Sequence, residues 1–506
     1  MTTVTAAAAS IPTSTLAPTA VPAPPSAWRF ENDARVRSIV KTIPGRLGLL
    51  VIFTGLMAVT RVPAWWQTSI VLALISLFPR HRKILVTLAA LGWLVLMPPL
   101  LKHPTDPHLF AQFAAAKGAG EWLKFWPIVG VVVWLFGMVY SWLVGKYPDS
   151  PIGRRPVTGL IVLLVSLLIL QDHLTGLTWW GVSTFAIIFG HFIWYFAYSC
   201  NDAQRTDGTT RPVQPGFWRP FWSVNKIPLG KGAAYLERCE AKNDEEFATA
   251  QLKGLKLIWW ATLLSILRVV ADAVVYGPAG VSLTKIPYFD PPGFLPQYST
   301  ALQAHLAGHE YPLHVRWLVL IAAFLFNVLY ISIWGHKAIA VCRMAGFNVL
   351  RNTYRPLEST SIAEFYNRFH YYLKEFLATF FFFPCYLRYF KKHPRLRLFM
   401  ATMAAACAGN FMYHFLHYDR TIFQYGFWEA LRLFHHFLVY GLILGTAIGL
   451  SQLRNSRRRK PPTGYRKAMA IAGVLFFYTL ITMFDETFTH VSALDYGSYF
   501  LSLWRL

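Results

Sequence analysis

The sequence predicts an all-α integral membrane protein, a polytopic bundle of about 10–11 spans. Three observations predict it. Of 506 residues, 55% are hydrophobic and only 14% charged, where an ordinary soluble domain carries roughly a quarter charged residues. Apolar runs near 20 residues long, enough to cross the hydrocarbon core, recur along the chain. The basic residues, Lys+Arg 48 against Asp+Glu 24 for a net charge of +24, collect in alternate loops. In a water-soluble chain that charge would point to nucleic acid. In this chain it marks one membrane surface, so the bilayer is the expected partner and no nucleic acid is.

Residues 1–45 read as a disordered, Pro/Ala/Thr-rich cytoplasmic tail. Its start, "MTTVTAAAASIPTSTLAPTAVPAPPSAW", lacks both the basic segment and the continuous apolar segment of a secretory signal. Apolar runs at 46–63, 65–79, 83–101, 124–144, 156–171 and 177–199 make residues 46–200 a group of N-terminal membrane helices. Residues 201–254 form a cytoplasmic segment. "PGFWRPFW" suits the aromatic belt at headgroup level, and "YLERCEAKNDEEFATAQLKGLKL" reads as an amphipathic helix leading into the next span. Runs at 255–276, 313–335, 396–417 and 427–450 belong to a core over 255–450, with a Pro/Gly-rich outward lid or plug at 277–312. A basic loop at 451–467 precedes a C-terminal span at 468–488 and a tail, together 468–506. If Arg35, Arg37, Lys41 and Arg46 are cytoplasmic, then "PRHRK" (79–83), "GRRP" (153–156), "GHK" (335–337) and "RNSRRRKPPTGYRK" (454–467) fall on that side too. That alternation predicts a multi-pass protein of a plasma or inner membrane with its N-terminus in the cytoplasm. The five cysteines show no CxxC pair and read as reduced, packed thiols.

Ionisable residues inside apolar spans are costly, so they carry the functional signal. Arg268 and Asp272, four apart, are expected to pair on one helical face. His191 in "FGHFIWYF" reads as a satisfied core histidine. The concentration lies between 352 and 436. "EFYNRFHYYLKEFLATFFFFPCYL" is expected to be helical throughout, with Asn367 and His370 on one face. In "MAAACAGNFMYHFLHYD", Asn410, His414 and His417 form one stripe, and Gly409 permits close approach of another helix. Two histidine-bearing helices suit acyl transfer to a hydroxyl. An alcohol needs a base to take its proton, and imidazole, with an unperturbed pKa of about 6.5, is matched to that task. A second polar group can hold the carbonyl or the hydroxyl as charge develops. No metal is required.

At these residues the sequence resembles the membrane-bound O-acyltransferase (MBOAT) family, whose members carry N-R-P, then S-x-x-E-F-W-x-R-W-H, and downstream G-L-W-H-G. "YRPLESTSIAEFYNRFHYYLKEF" matches at Arg355, Pro356, Ser361, Glu364, Phe365, Arg368 and His370, with Tyr366 and Phe369 at the two Trp positions. "AGNFMYHFLH" stands where G-L-W-H-G would be, with extra residues between Gly409 and His414 and no Gly after the histidine. The resemblance covers about 352–417. It implies an MBOAT-like ring of tilted helices around a catalytic tunnel that the acyl donor enters from the cytoplasm. It makes His414 the general base, with His370 the second polar group of the tunnel and His417 a competitor for the base. Asn367 and Asn410 are neighbouring support or substrate contacts, and Glu364 and Arg368 form a pair at the interface. The donor is an acyl thioester, acyl-CoA or acyl carrier protein, and no cofactor is implied. The acceptor is a hydroxyl, with a mild preference for an extracytoplasmic glycan or lipid-linked sugar, and an accessory protein is a further expected partner. Three other readings fit the intramembrane polar groups: a transporter, a non-catalytic lipid-binding relative, and a metal or haem enzyme ligated by His414, His417, His435 and His436. The last is short of the imidazoles that its chemistry wants.

Overall fold

A computed structural model describes residues 30–96, 119–204, 220–222, 229, 231–277, 294–455, 462–484 and 491–505. The expected "PGFWRPFW" belt lies mostly outside the described residues, as do most of the tail and residues 278–293 of the outward lid. Among the described residues the chain is helical and forms no sheet; one isolated bridge joins Glu240 to Phe347.

The first half runs α1 (Ala34–Lys41), α2 (Ile43–Val59), α3 (Trp65–Leu77), α4 (Arg82–Leu96), α5 (Ala119–Lys146), α6 (Pro156–Leu170) and α7 (Gly176–Ala203). Helix α1 falls inside the expected tail, so residues 34–41 are ordered chain. The Asp33 carboxylate starts it by accepting the backbone N–H of Arg35 at 2.8 Å. Next come α8 (Ala233–Cys239), α9 (Asp244–Tyr276), α10 (Tyr298–Leu306) and α11 (Leu313–Met344). The segment expected to be one amphipathic helix is divided: its start lies in α8, and from Asp244 it continues without a break into the span as α9. Asn243 caps it, accepting from Glu246 N at 2.9 Å, and three acidic residues in its first turn complement the helix dipole. Leu236, Phe247 and Leu252 are buried, as the amphipathic pattern requires.

The start of α9 is clamped to the N-terminal helices by charge. Arg37 pairs with Glu245 at 2.6 Å, Arg46 with Asp244 at 2.6 Å, Arg82 with Glu240 at 2.8 Å, and Lys83 with Glu237 at 3.1 Å. Lys256 reaches Glu31 at 2.7 Å. The Arg46 and Arg82 guanidiniums both lie over the Phe247 ring, 5.1 and 5.5 Å from its centroid. Farther along α9, Arg268 and Asp272, expected to pair, lie within electrostatic range of each other but make no direct ion-pair contact. Arg268 lies instead over Tyr330, 5.2 Å from the ring centroid.

The second half holds α12 (Ile362–Phe369), α13 (Tyr371–Leu377), a π-helical stretch (Ala378–Phe382), α14 (Phe383–Arg388), α15 (Pro394–Met403), a second π-helical stretch (Ala404–Gly409) and α16 (Asn410–Leu416). It ends with α17 (Asp419–Tyr425), α18 (Phe427–Leu433), α19 (His435–Asn455), α20 (Gly464–Ile481) and α21 (Ala493–Ser502). Helix α19 packs on α15 and the second π stretch through Gly441, Gly445 and Gly449. A Cβ on these would meet Cys407, Met403 and Phe399 at 3.2, 3.0 and 2.7 Å. Small residues every fourth position let two helix backbones approach where apolar burial alone gives no drive.

Seven described helices are long and apolar enough to cross a membrane, or up to eight if the pair α1–α2, bent by 101°, is one span. The architecture is a multi-pass, all-helical membrane protein with fewer such helices than the 10–11 spans expected. The difference has identifiable sources. Helix α3 is apolar but only 13 residues long, short of the roughly 20 a span needs. The 396–417 run is continuous helix from Pro394 to Leu416, α-helical at both ends and π-helical between, and is not among the seven.

Candidate active site

The run from 364 to 387, expected to be one helix, breaks at His370, whose backbone leaves the helical region at φ −140°, ψ 68°. Apolar surroundings tolerate such a break only where the freed backbone groups find partners. Residues 352–354 supply them. Tyr354 N donates to Arg368 O at 2.8 Å and the Thr353 hydroxyl to Phe369 O at 2.8 Å. Beyond the break, Tyr371 N donates to Asn352 O at 2.9 Å and Tyr372 N to Asn352 Oδ1 at 3.3 Å. Asn352 is buried against α11 because Gly335 leaves room; a Cβ there would lie 2.9 Å from Asn352 Nδ2.

At the start of α12 the matched motif residues build a polar knot. Ser361 accepts from Glu364 N at 3.2 Å, Glu364 Oε2 accepts from Thr360 N at 2.8 Å, and Glu364 Oε1 pairs with Arg368 at 2.6 Å. This is the expected Glu364–Arg368 pair, and it holds the helix start. Asn367 is half-buried on the last turn of α12. It shares no continuous helical face with His370, because the helix ends between them.

His370 is 6% exposed, beside the rings of Trp334 and Phe369 with centroids 6.4 and 6.3 Å away, and its Nδ1 has no protein partner. His414 stands on α16. The His414 imidazole lies within electrostatic range of the His370 ring, so two segments 44 positions apart converge here. The His414 ring is flanked by Phe437 at 4.6 Å and Tyr413 at 5.1 Å. The side chain is intermediate in exposure. Phe376, just past the break, packs at a tilt against Tyr413, with centroids 5.6 Å apart, and ties the two segments together.

The two π stretches meet beneath this pair. A Cβ on Gly409 would sit 2.7 Å from the Phe381 ring and 3.1 Å from Leu377, so the close approach expected at this glycine is made. π-helical turns are rare and concentrate at functional sites. Asn410 follows, 2% exposed, its Oδ1 without a protein partner. His417 ends α16 and turns back: its Nδ1 lies 2.6 Å from Tyr413 O. A carbonyl only accepts, so Nδ1 carries the proton and Nε2 is the acceptor nitrogen. The phenols of Tyr195 on α7 and Tyr366 on α12 lie within electrostatic range of Tyr413.

A scan against protein-family models and a search of curated proteins gave no match. The site therefore rests on its own chemistry. Among the described residues no group of three or more His, Cys, Asp or Glu is arranged to hold a metal ion. His435 is occupied otherwise, with Nδ1 on Arg432 O at 2.7 Å and Nε2 accepting from Ala493 N at 3.3 Å. His436 packs at a tilt against Tyr496, centroids 5.3 Å apart, and its Nδ1 lies 3.2 Å from Leu433 O.

The residue-level reading found the two converging imidazoles but gave no role to Asn352, Tyr195 or Tyr366. Asn352 stood in the polar concentration; its partners, Gly335 and Tyr372, lie on other segments and carry no local signal. The arrangement can accept a proton at one imidazole while a neighbouring one holds a polar group of the substrate.

Proposed function

We propose that the protein is a membrane O-acyltransferase, moving an acyl group from a cytoplasmic thioester to an acceptor hydroxyl, with His414 as general base and His370 as its polar partner. The observation that carries this reading is the convergence of His370 and His414, the former with an unpartnered ring nitrogen. The resemblance to the MBOAT motif adds the direction of the chemistry. The acceptor oxygen attacks the thioester carbonyl carbon while His414 takes the hydroxyl proton. The tetrahedral intermediate then collapses with cleavage of the C–S bond, and the imidazolium returns the proton to the leaving thiolate. His370 donates a hydrogen bond to the carbonyl oxygen or orients the hydroxyl. An MBOAT-like tunnel, an N-terminus in the cytoplasm of a plasma or inner membrane, and a glycan or lipid-linked acceptor belong to the same proposal.

Single-turnover acyl transfer with purified protein tests it. His414→Ala is expected to lose about 10²- to 10⁴-fold in rate, the usual worth of a general base, with the size-exclusion profile unchanged. Full turnover in that variant, together with its loss in His417→Ala, moves the base to His417. Solute flux in proteoliposomes without any thioester hydrolysis replaces the reading with a transporter.

A further inference from the structure

Helix α19 ends and α20 begins on either side of a cleft of about 1260 Å³, which Thr360, Ser361 and Ile362 at the start of α12 also line. Its outer part is basic and polar, with Arg454 at the end of α19 and Thr463 and Arg466 at the start of α20. No Asp or Glu lines it. Its inner part is apolar, with Leu450 on α19 and Ala470 and Val474 on α20. The grading follows from chain direction. The two helices meet at the 456–461 connection, so a step into either one from that connection goes toward the same end of the cleft. At 1.5 Å rise per residue, Leu450 lies about 6 Å inside Arg454 and Val474 about 12 Å inside Arg466. Arg454 and Arg466 are the two cations of the lining, and Lys467 follows the second in the sequence.

A cationic rim above an apolar trough is complementary to one kind of molecule. We propose that an anionic phospholipid stands in this cleft, its phosphate between Arg454 and Arg466 and its acyl chains along Leu450, Ala470 and Val474. A water-soluble phosphate would satisfy the rim and gain nothing from the trough. A zwitterionic lipid would fill the trough while carrying a cation to the rim. Basic clusters beside a span and basic pockets between spans are where anionic headgroups bind. This site is independent of the acyl-transfer reading.

Native mass spectrometry of the detergent-purified full chain, titrated with phosphatidylglycerol, phosphatidylcholine or glycerol 3-phosphate, tests it. Retention of phosphatidylglycerol is expected to exceed that of phosphatidylcholine by about tenfold. The double variant Arg454→Gln/Arg466→Gln should erase that preference. Gly473→Leu should weaken retention of phosphatidylglycerol, because Gly473 lines the cleft and a Cβ there meets only open space, so the larger side chain folds normally and fills the trough. Equal retention of the two lipids overturns the proposal. So does a preference that survives the double variant, unchanged binding in Gly473→Leu, or glycerol 3-phosphate bound as tightly as the whole lipid.

Discussion

Asn352 holds the chain just past the break at His370, its carbonyl taking Tyr371 N–H and its side chain taking Tyr372 N–H. A buried backbone donor left without its acceptor costs about 1–3 kcal/mol. The half-buried Glu364–Arg368 pair, four residues apart on one helix, contributes only about 0.3–0.5 kcal/mol. Asn352→Ala is therefore expected to lower the thermal unfolding midpoint in detergent clearly, and Arg368→Gln hardly at all; equal shifts would contradict this ranking. The histidines could be found in the sequence because an ionisable group in an apolar run is conspicuous whatever its partners. The break itself could not, since "FYNRFHYYLKEF" has helical spacing throughout. What decides against one helix is a set of acceptors and donors at 352–354, and spacing within a segment cannot report them. The expectation that Asn367 and His370 share a face failed for that reason.

Among the helices, existence and order were legible wherever an apolar run was long and uninterrupted, as in α5, α6, α11 and α20. Ends were not: α11 runs on to Met344, so "GHK" (335–337), expected as a loop, lies inside it. Hydropathy counts residues and is blind to hydrogen-bond register, so the 396–417 run gave no hint of the π stretch at Ala404–Gly409. The stripe Gly441, Gly445, Gly449 was equally present in the sequence, and its spacing already described a close-packed helix face. Overpacking a tight contact costs about 1–3 kcal/mol. Gly445→Leu, which must displace Met403 from 3.0 Å, is expected to destabilise the protein by that amount. The open Gly473→Leu should leave the same unfolding measurement unchanged. A stable Gly445→Leu protein would mean that α19 and α15 do not pack as described.

Across the whole molecule, charge is the organising signal. The sequence placed Arg37, Lys41, Arg46, "PRHRK" and 200–254 on one membrane surface, and ion pairs join these very segments. The proposed orientation puts that surface in the cytoplasm. A cysteine placed at Arg466 is then expected to react with a membrane-impermeant maleimide in inside-out vesicles and not in right-side-out ones; the reverse pattern inverts the protein. Which residues pair could not be read, because every partner lies more than 150 positions away.

Arg46 and Asp244 are 198 positions apart. At roughly 5–20 residues per second of synthesis, the ribosome takes about 10–40 s to travel from the first to the second. Throughout that interval Arg46 is in place before its carboxylate exists. A nascent chain halted short of residue 244 therefore lacks the anions that hold its leading helices, and these early segments remain a substrate for quality control until α9 emerges.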